Sequence, residues 1–200
     1  EYEGWDDPRL PTIQGLQSRG IQANALRNFW IELGVTQKDI SVPLATLFSH
    51  NTKMIDDDAP RLSFVRNPIA VDLDGEVPES VTLPLHPNHP NKGVRTISLN
   101  PPMAYIESDD VNGLYRLKEF ADVEANGILG SIERSDKRPI IHWVSQSTSK
   151  EATLIIPDQE EMQHISGRVE ANEHPIGTIV QLERIGYAII TKDGYLLMHE

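Results

Sequence analysis

The sequence contains no cysteine. Disulfide staples, thiolate-bound zinc and cysteine nucleophiles are therefore excluded. Positive charge is scarce as well: 18 Lys and Arg stand against 30 Asp and Glu in 200 residues, a formal net charge of −12. That excludes an indiscriminate polyanion binder, whose affinity rests on phosphate neutralisation across a broad basic surface. It leaves open a few cations gathered in one place. No apolar run approaches the roughly 20 residues of a membrane span. The opening Glu1-Tyr2-Glu3-Gly4-Trp5 is unlike a signal peptide, so the expectation is a soluble, cytoplasmic protein. Aromatic residues are only 6% of the chain, but 38% of it is hydrophobic. That suffices to pack a core in one large or two small domains.

What is present divides near Pro60. Pro11 in a first turn and Gly20 as a stop bracket a short helix carrying Ile13 and Leu16. From Gln22 to Leu33 the residues Ala25, Leu26, Phe29, Trp30 and Leu33 fall at three- and four-residue steps, ended by Gly34. Thr36 with Asp39 reads as an N-terminal cap. Pro43, Leu44, Leu47, Phe48, Met54 and Ile55 predict a third helix, closed by Asp56-Asp57-Asp58-Ala59-Pro60. Residues 1–60 are thus expected to be a helical connector.

After Pro60 the apolar period becomes two. Leu62-Ser63-Phe64-Val65, Ala70-Val71-Asp72-Leu73, Val81-Thr82-Leu83 and Val94 to Leu99 read as short strands. So do Leu114 to Leu117, Ile140 to Val144, Ala152 to Ile156 and Thr178 to Leu182, and Lys192-Asp193-Gly194 is a hairpin signal. Breaks such as Pro87-Asn88-His89-Pro90-Asn91 separate them. Many short strands with frequent turns imply a mainly β fold, with two small β-barrels over residues 61–200.

The residues alone display no catalytic machinery. No nucleophile elbow, Walker loop or dinucleotide fingerprint occurs. His86-Pro87-Asn88-His89 reads as a turn rather than a pair of metal ligands, because no carboxylate or third histidine lies at useful spacing. His142-Trp143 sits in an apolar strand and reads as core; His50, His164, His174 and His199 form no constellation. Asp56 to Asp58 read as a solvated helix end. Arg116 and Lys118 alternate along one strand and share its face. Two positive charges there suit a phosphate or a base edge, or simply face solvent. Arg184 on its own reads as a surface partner for Glu183 or another carboxylate.

One pattern is more specific. Gly4-Trp5-Asp6-Asp7-Pro8-Arg9-Leu10-Pro11-Thr12-Ile13 followed by Gly15-Leu16-Gln17-Ser18-Arg19-Gly20-Ile21 resembles the end of the catalytic region in the class I glutamyl- and glutaminyl-tRNA synthetases. The resemblance continues, in the family's order, through Leu33 to Asp39, Ala59-Pro60-Arg61 and Pro87 to Lys92. It extends to Ile141-His142-Trp143-Val144-Ser145 and Gln181-Leu182-Glu183-Arg184-Ile185-Gly186-Tyr187. It is closest to the archaeal-type glutamyl enzyme. It implies a carboxy-terminal part of a longer chain: a helical connector, then a proximal and a distal barrel with strands exchanged between them. The ATP-binding histidine and lysine signatures are absent from these 200 residues, and the resemblance puts them, with ATP and Mg, in a catalytic domain upstream of Glu1. No catalytic residue and no metal site is expected in this part, which would be inactive alone.

The resemblance also assigns residues. Gln181 and Arg184 match the pair that holds the middle anticodon base; an amide both donates and accepts, and a guanidinium donates in a fixed fork, which suits a uracil edge. Arg61 matches an arginine at the first anticodon base, Arg116 and Lys118 join the anticodon site, and Gln37 and Lys38 match a loop at the inner corner of the tRNA. The implied partner is tRNA-Glu, with no DNA and no membrane. Where the glutaminyl enzyme carries a basic insertion, only the acidic Glu107-Ser108-Asp109-Asp110-Val111-Asn112-Gly113 is found, so tRNA-Gln is an expected second partner. A glutaminyl enzyme and a stand-alone barrel related to a 5S-rRNA-binding ribosomal protein are the alternatives. The sharpest structural expectation is that Arg61, Arg116, Lys118 and Arg184 converge on one face, with the carboxylates on the other.

Overall fold

A computed structural model describes residues 2–34, 41–110, 113–124, 128–133 and 137–200. Helix α1 (Ile13–Ser18) starts at Thr12, whose hydroxyl accepts from the Gly15 N–H at 2.9 Å, so Pro11 lies just outside it. Gly20 then turns the chain at φ 94°, where a Cβ would come within 2.8 Å of the Met198 methyl. Helices α2 (Ala23–Leu33) and α3 (Leu44–Ile55) follow. Their apolar stripes meet in a small core of Leu16, Ile21, Phe29 and Leu47. The Thr36–Asp39 cap lies outside the described residues. Asp57 and Asp58 are exposed as expected of a helix end, but Asp56 is not simply solvated: it holds Arg61.

The β region runs as β1 (Arg61–Leu62), β2 (Phe64–Arg66), β3 (Pro68–Asp72), β4 (Ser80–Pro84), β5 (Val94–Ser98), β6 (Met103–Glu107), β7 (Tyr115–Leu117) and β8 (Asp122–Val123). It continues as β9 (Ile140–Ile141), β10 (Val144–Ser145), β11 (Ser149–Pro157), β12 (Met162–Glu170), β13 (Ile179–Leu182), β14 (Gly186–Ile190) and β15 (Tyr195–His199). Seven strands form one sheet in the order β1-β13-β14-β15-β11-β12-β2. Its two edges are a single extended segment interrupted only at Ser63, so the sheet nearly closes into a barrel and leaves no long open edge. Leu62, Phe64, Leu154, Val169, Val180, Leu182 and Leu197 fill its interior. Gly167 makes room for Phe64: a Cβ there would stand 2.4 Å from the ring.

The intervening residues build a second core from Leu73 to Trp143, wrapped by three short sheets, β10-β6-β3, β4-β5 and β8-β7-β9. Prolines 84, 87, 90, 101, 102 and 139 flank these strands, and a residue with no N–H cannot extend a ladder. The short sheets follow from that. The Trp143 indole spans the core to donate to the Lys118 carbonyl at 3.2 Å.

The helical unit is clamped to the barrel through its last strand. Asn51, fully buried, accepts from the Gln22 N–H at 2.8 Å and donates to His199 Nε2 at 3.1 Å. His199 stacks on Phe48 at 5.0 Å and directs Nδ1 to the Glu200 carbonyl at 3.2 Å. Nε2 must accept, so the ring is neutral. Burial lowers its pKa, and the opposing Glu200 carbonyl does not outweigh it. A histidine with a depressed folded pKa stabilises the fold above its unfolded value and loses that contribution as pH falls below about 6.5. Thermal melting should therefore drop on acidification below that pH. The drop should shrink in His199→Gln without vanishing, because burial and Arg61 depress His86 in the same direction. An identical pH slope in the variant would refute the assignment.

Candidate nucleic-acid interface

At the end of β13 the chain makes a tight turn, with the Ile185 N–H on the Leu182 carbonyl at 3.0 Å. Arg184 takes φ 64° in this turn, a conformation a residue with a Cβ adopts only under constraint. The turn lifts Glu183 and Arg184 out of the sheet, over the seam between the two cores. The Arg184 side chain is 46% exposed, with Nη1 3.5 Å from Asp110 Oδ2 and 3.2 Å from His142 Nδ1. Its neighbour Glu183 accepts from Lys118 Nζ at 2.7 Å and from the Ser63 hydroxyl at 3.4 Å.

Beneath this surface lies a polar chain. His142 is 1% exposed, and its Nε2 sits 3.2 Å from Glu107 Oε1, off the hydrogen-bond axis. Glu107, at the end of β6, receives Arg66 in bidentate fashion at 2.8 and 2.9 Å, and the Arg66 N–H at 3.2 Å. Burial alone would raise the Glu107 carboxyl, but His142 and Arg66 reverse this and hold it well below the usual carboxylate range. It is therefore ionised throughout the physiological range.

Gln181 lies on β13 between Arg61 of β1 and Tyr187 of β14. It is half-buried, and its amide makes no hydrogen bond among the described residues. Arg61 takes a different course. Its side chain is 5% exposed, with Nη2 donating to Asp56 Oδ1 at 2.7 Å and lying 3.0 Å from His86 Nε2. The Tyr187 hydroxyl donates to the same carboxylate. Burial opposes ionisation of Asp56, yet Tyr187 and Arg61 together lower its pKa. Arg61 Nε and Nη1 are buried with no hydrogen-bond partner among the described residues. Arg61 also lines a cavity of about 420 Å³ shared with His86, Lys92, Arg95, Asn172 and His174.

Arg116 is bound within its own hairpin, to Asp122 at 2.7 Å and to the carbonyls of Ile132 and Phe120 at 2.7 and 3.3 Å. Lys118, two residues on, reaches the seam. The fold thus brings Lys118 against Glu183, the neighbour of Arg184 in the β13–β14 turn, and leaves Arg61 and Arg116 in separate pairs. The expected separation of charge does not occur: each of the four cations has a carboxylate partner, Asp56, Asp122, Glu183 or Asp110. Partly buried cations are costly to leave unpaired, and acidic residues outnumber them. Gln37 and Lys38 lie outside the described residues. Sequence reasoning gives no site role to His142, Glu107, Arg66 or Asp110. The available signal is the histidine itself, since a polar ring within an apolar run requires partners; the structure breaks the expected strand there, with His142 and Trp143 between β9 and β10.

Residues 59–142 match the family model described as tRNA synthetases class I (E and Q), anti-codon binding domain, and residues 140–191 match a second model of the same description. The chain belongs to this family. A glutamate–tRNA ligase of Pyrococcus furiosus is 35% identical over 210 residues, covering 96% of this chain and 36% of the relative. Those of Methanosarcina mazei and Methanothrix thermoacetophila are each 35% identical, over 95% and 97% of this chain and 35% and 36% of their own lengths. The chain thus spans about a third of the length of these relatives. The seam straddles the two anticodon-binding matches: Glu107, Asp110 and Lys118 come from the first, Gln181 to Arg184 from the second, and His142 lies where they overlap. Among the described residues no helix is long and apolar enough to cross a membrane, and no group of His, Asp and Glu could hold a metal ion.

Proposed function

We propose that this chain is the anticodon-reading part of an ATP-dependent glutamate–tRNA ligase. The observation that carries the reading is the β13–β14 turn, which presents a half-exposed Arg184 over the seam with the unengaged amide of Gln181 on the strand leading into it. A splayed-out uracil offers carbonyl acceptors and an N–H donor on one edge. The fixed fork of Arg184 can donate to a carbonyl, while Gln181 can satisfy both kinds of group. The Asp110 contact to Arg184 is long and exposed, so a base edge displaces it at little cost. Lys118 is likewise available, because a partly exposed pair such as Lys118–Glu183 contributes only about 0–1 kcal/mol, and a phosphate can take its place.

Arg61 joins through the cavity beside it, where its unpartnered Nε and Nη1 suit the first anticodon base. Arg116 joins through its place on β7, the strand that leads into Lys118. Gln37 and Lys38 are assigned to the inner corner of the tRNA. In the whole protein, an upstream catalytic domain would use ATP and Mg to activate glutamate and would pass it to the terminal ribose of tRNA-Glu in the cytoplasm. The short acidic segment after β6 supports a permissive enzyme that also takes tRNA-Gln.

Two exchanges in the tRNA test this. Replacing the middle anticodon uracil should weaken binding to the chain, and equal affinity for all four middle bases would overturn the proposed function. Replacing the third base should change charging by the whole protein little. Strong discrimination there would overturn the permissive reading alone.

A further inference from the structure

We propose that His142 is the positioning residue for Arg184, setting where the guanidinium stands before RNA arrives. The inference rests on the reading that Arg184 engages the anticodon. A guanidinium donates only, so the 3.2 Å contact to Arg184 Nη1 requires a bare lone pair on His142 Nδ1. In the neutral ring the proton is then on Nε2, which lies 3.2 Å from the Glu107 carboxylate; the pair is off the hydrogen-bond axis, but the negative charge beside it favours the proton on that nitrogen. Glu107 is in turn clamped by both arms of Arg66 at 2.8 and 2.9 Å. Each link fixes the next: Arg66 locks Glu107, Glu107 selects the tautomer of His142, and that tautomer turns an acceptor toward Arg184.

The same logic separates His142 from Asp110. Asp110 is further from Nη1, at 3.5 Å, and its pairing is partly exposed. His142 is buried and approaches from below, so it stays in place while RNA occupies the outer edge. A long side chain that is 46% exposed would otherwise sample many rotamers, and one fixed contact at its base lowers the ordering cost on binding. Geometry of this kind sets a base-reading contact more than it sets folding stability.

The two amide substitutions divide the ring's roles. Asn places its carbonyl oxygen near the Nδ1 position and keeps the acceptor for Arg184. Gln reaches the Nε2 position, keeps a donor for Glu107 and loses the acceptor. Affinity for tRNA-Glu should fall about tenfold further in His142→Gln than in His142→Asn, the scale of one hydrogen bond to a charged group. In a double-mutant cycle the His142→Gln effect should disappear once Arg184 is Ala. Nitrogen-15 spectra of the histidine-labelled chain should show the Nε2–H tautomer at His142. If neither variant folds, Glu107→Gln serves, because an amide there no longer selects that tautomer; it should weaken binding only while Arg184 is present.

If Arg184→Ala leaves affinity unchanged, the reading of Arg184 itself fails. If Arg184→Ala weakens binding but the His142→Gln or Glu107→Gln effect persists alongside it, positioning is overturned and the anticodon reading stands. Equal losses in the Asn and Gln variants, or an Nδ1–H tautomer, also overturn it.

Discussion

Replacing Arg184 with alanine is expected to weaken binding of a tRNA with a middle-base uracil by roughly ten- to a hundredfold, the 1–3 kcal/mol typical of a specific side chain–base contact. The loss should be selective. Against tRNAs with other middle bases the variant should bind nearly as the wild type does, so that discrimination collapses. The fold should be little affected. Arg184 is 46% exposed, its pair with Asp110 is 3.5 Å long, and exposed pairs of that kind contribute at most about 1 kcal/mol. Its backbone, at φ 64°, is strained in either residue. Binding titrations over the four middle bases, with melting curves as a control, provide the measurement. A uniform loss across all bases, with the salt dependence shallower by about one counterion, would make Arg184 a phosphate contact and withdraw it from base reading.

Phe64→Ala should destabilise the fold by about 3–5 kcal/mol. For a chain of this size that corresponds to a fall in Tm on the order of 10 °C. Phe64 is fully buried where the two ends of the seven-stranded sheet meet, and its ring lies edge-on to Tyr195 at 6.0 Å. The residue beneath it is Gly167, which has no side chain to close the resulting cavity. The cost should therefore approach the upper end of the range. A companion test exploits the same contact. Gly167→Ala forces a Cβ to within 2.4 Å of the ring and 2.6 Å of the Val65 carbonyl oxygen and should destabilise the wild type. In the Phe64→Ala background only the backbone clash remains, so the cost should be clearly smaller. Strictly additive effects in thermal unfolding would mean that the two positions are not in contact.

The parts of the molecule written in contiguous residues are legible in the amino-acid sequence itself. The 3.6-residue stripe of α2 places that helix to within a residue, and the run Thr178 to Leu182 marks strand β13 equally closely. Strand β12 escapes such a reading, because His164, Ser166, Gly167 and Arg168 interrupt its apolar alternation. It is a strand because all nine residues pair with β11, which is a property of the neighbour as much as of the segment. The expected charge arrangement fails for a related reason. Which carboxylate each arginine meets depends on distant chain: Asp56 is near Arg61, but Asp110 reaches Arg184 across 74 positions. His142 reads as core, and it is buried. Its polar contacts to Glu107 and Arg184 come from two other strands' ends, which no local pattern encodes.

The sheet whose edges are one segment interrupted at Ser63 also constrains the order of events on the ribosome. Strands β1 and β2 are made early, but β1 pairs only with β13, Arg61 opposite Gln181, and β2 only with β12. Everything from β3 to β10 emerges while those edges wait, and it can collect around its own core first. The barrel can seal only after the last strands have been synthesised. The proposed anticodon surface sits on that late joint, so on this reading a nascent chain acquires its RNA-reading geometry only once β12 and β13 have emerged, after the inserted core has been made.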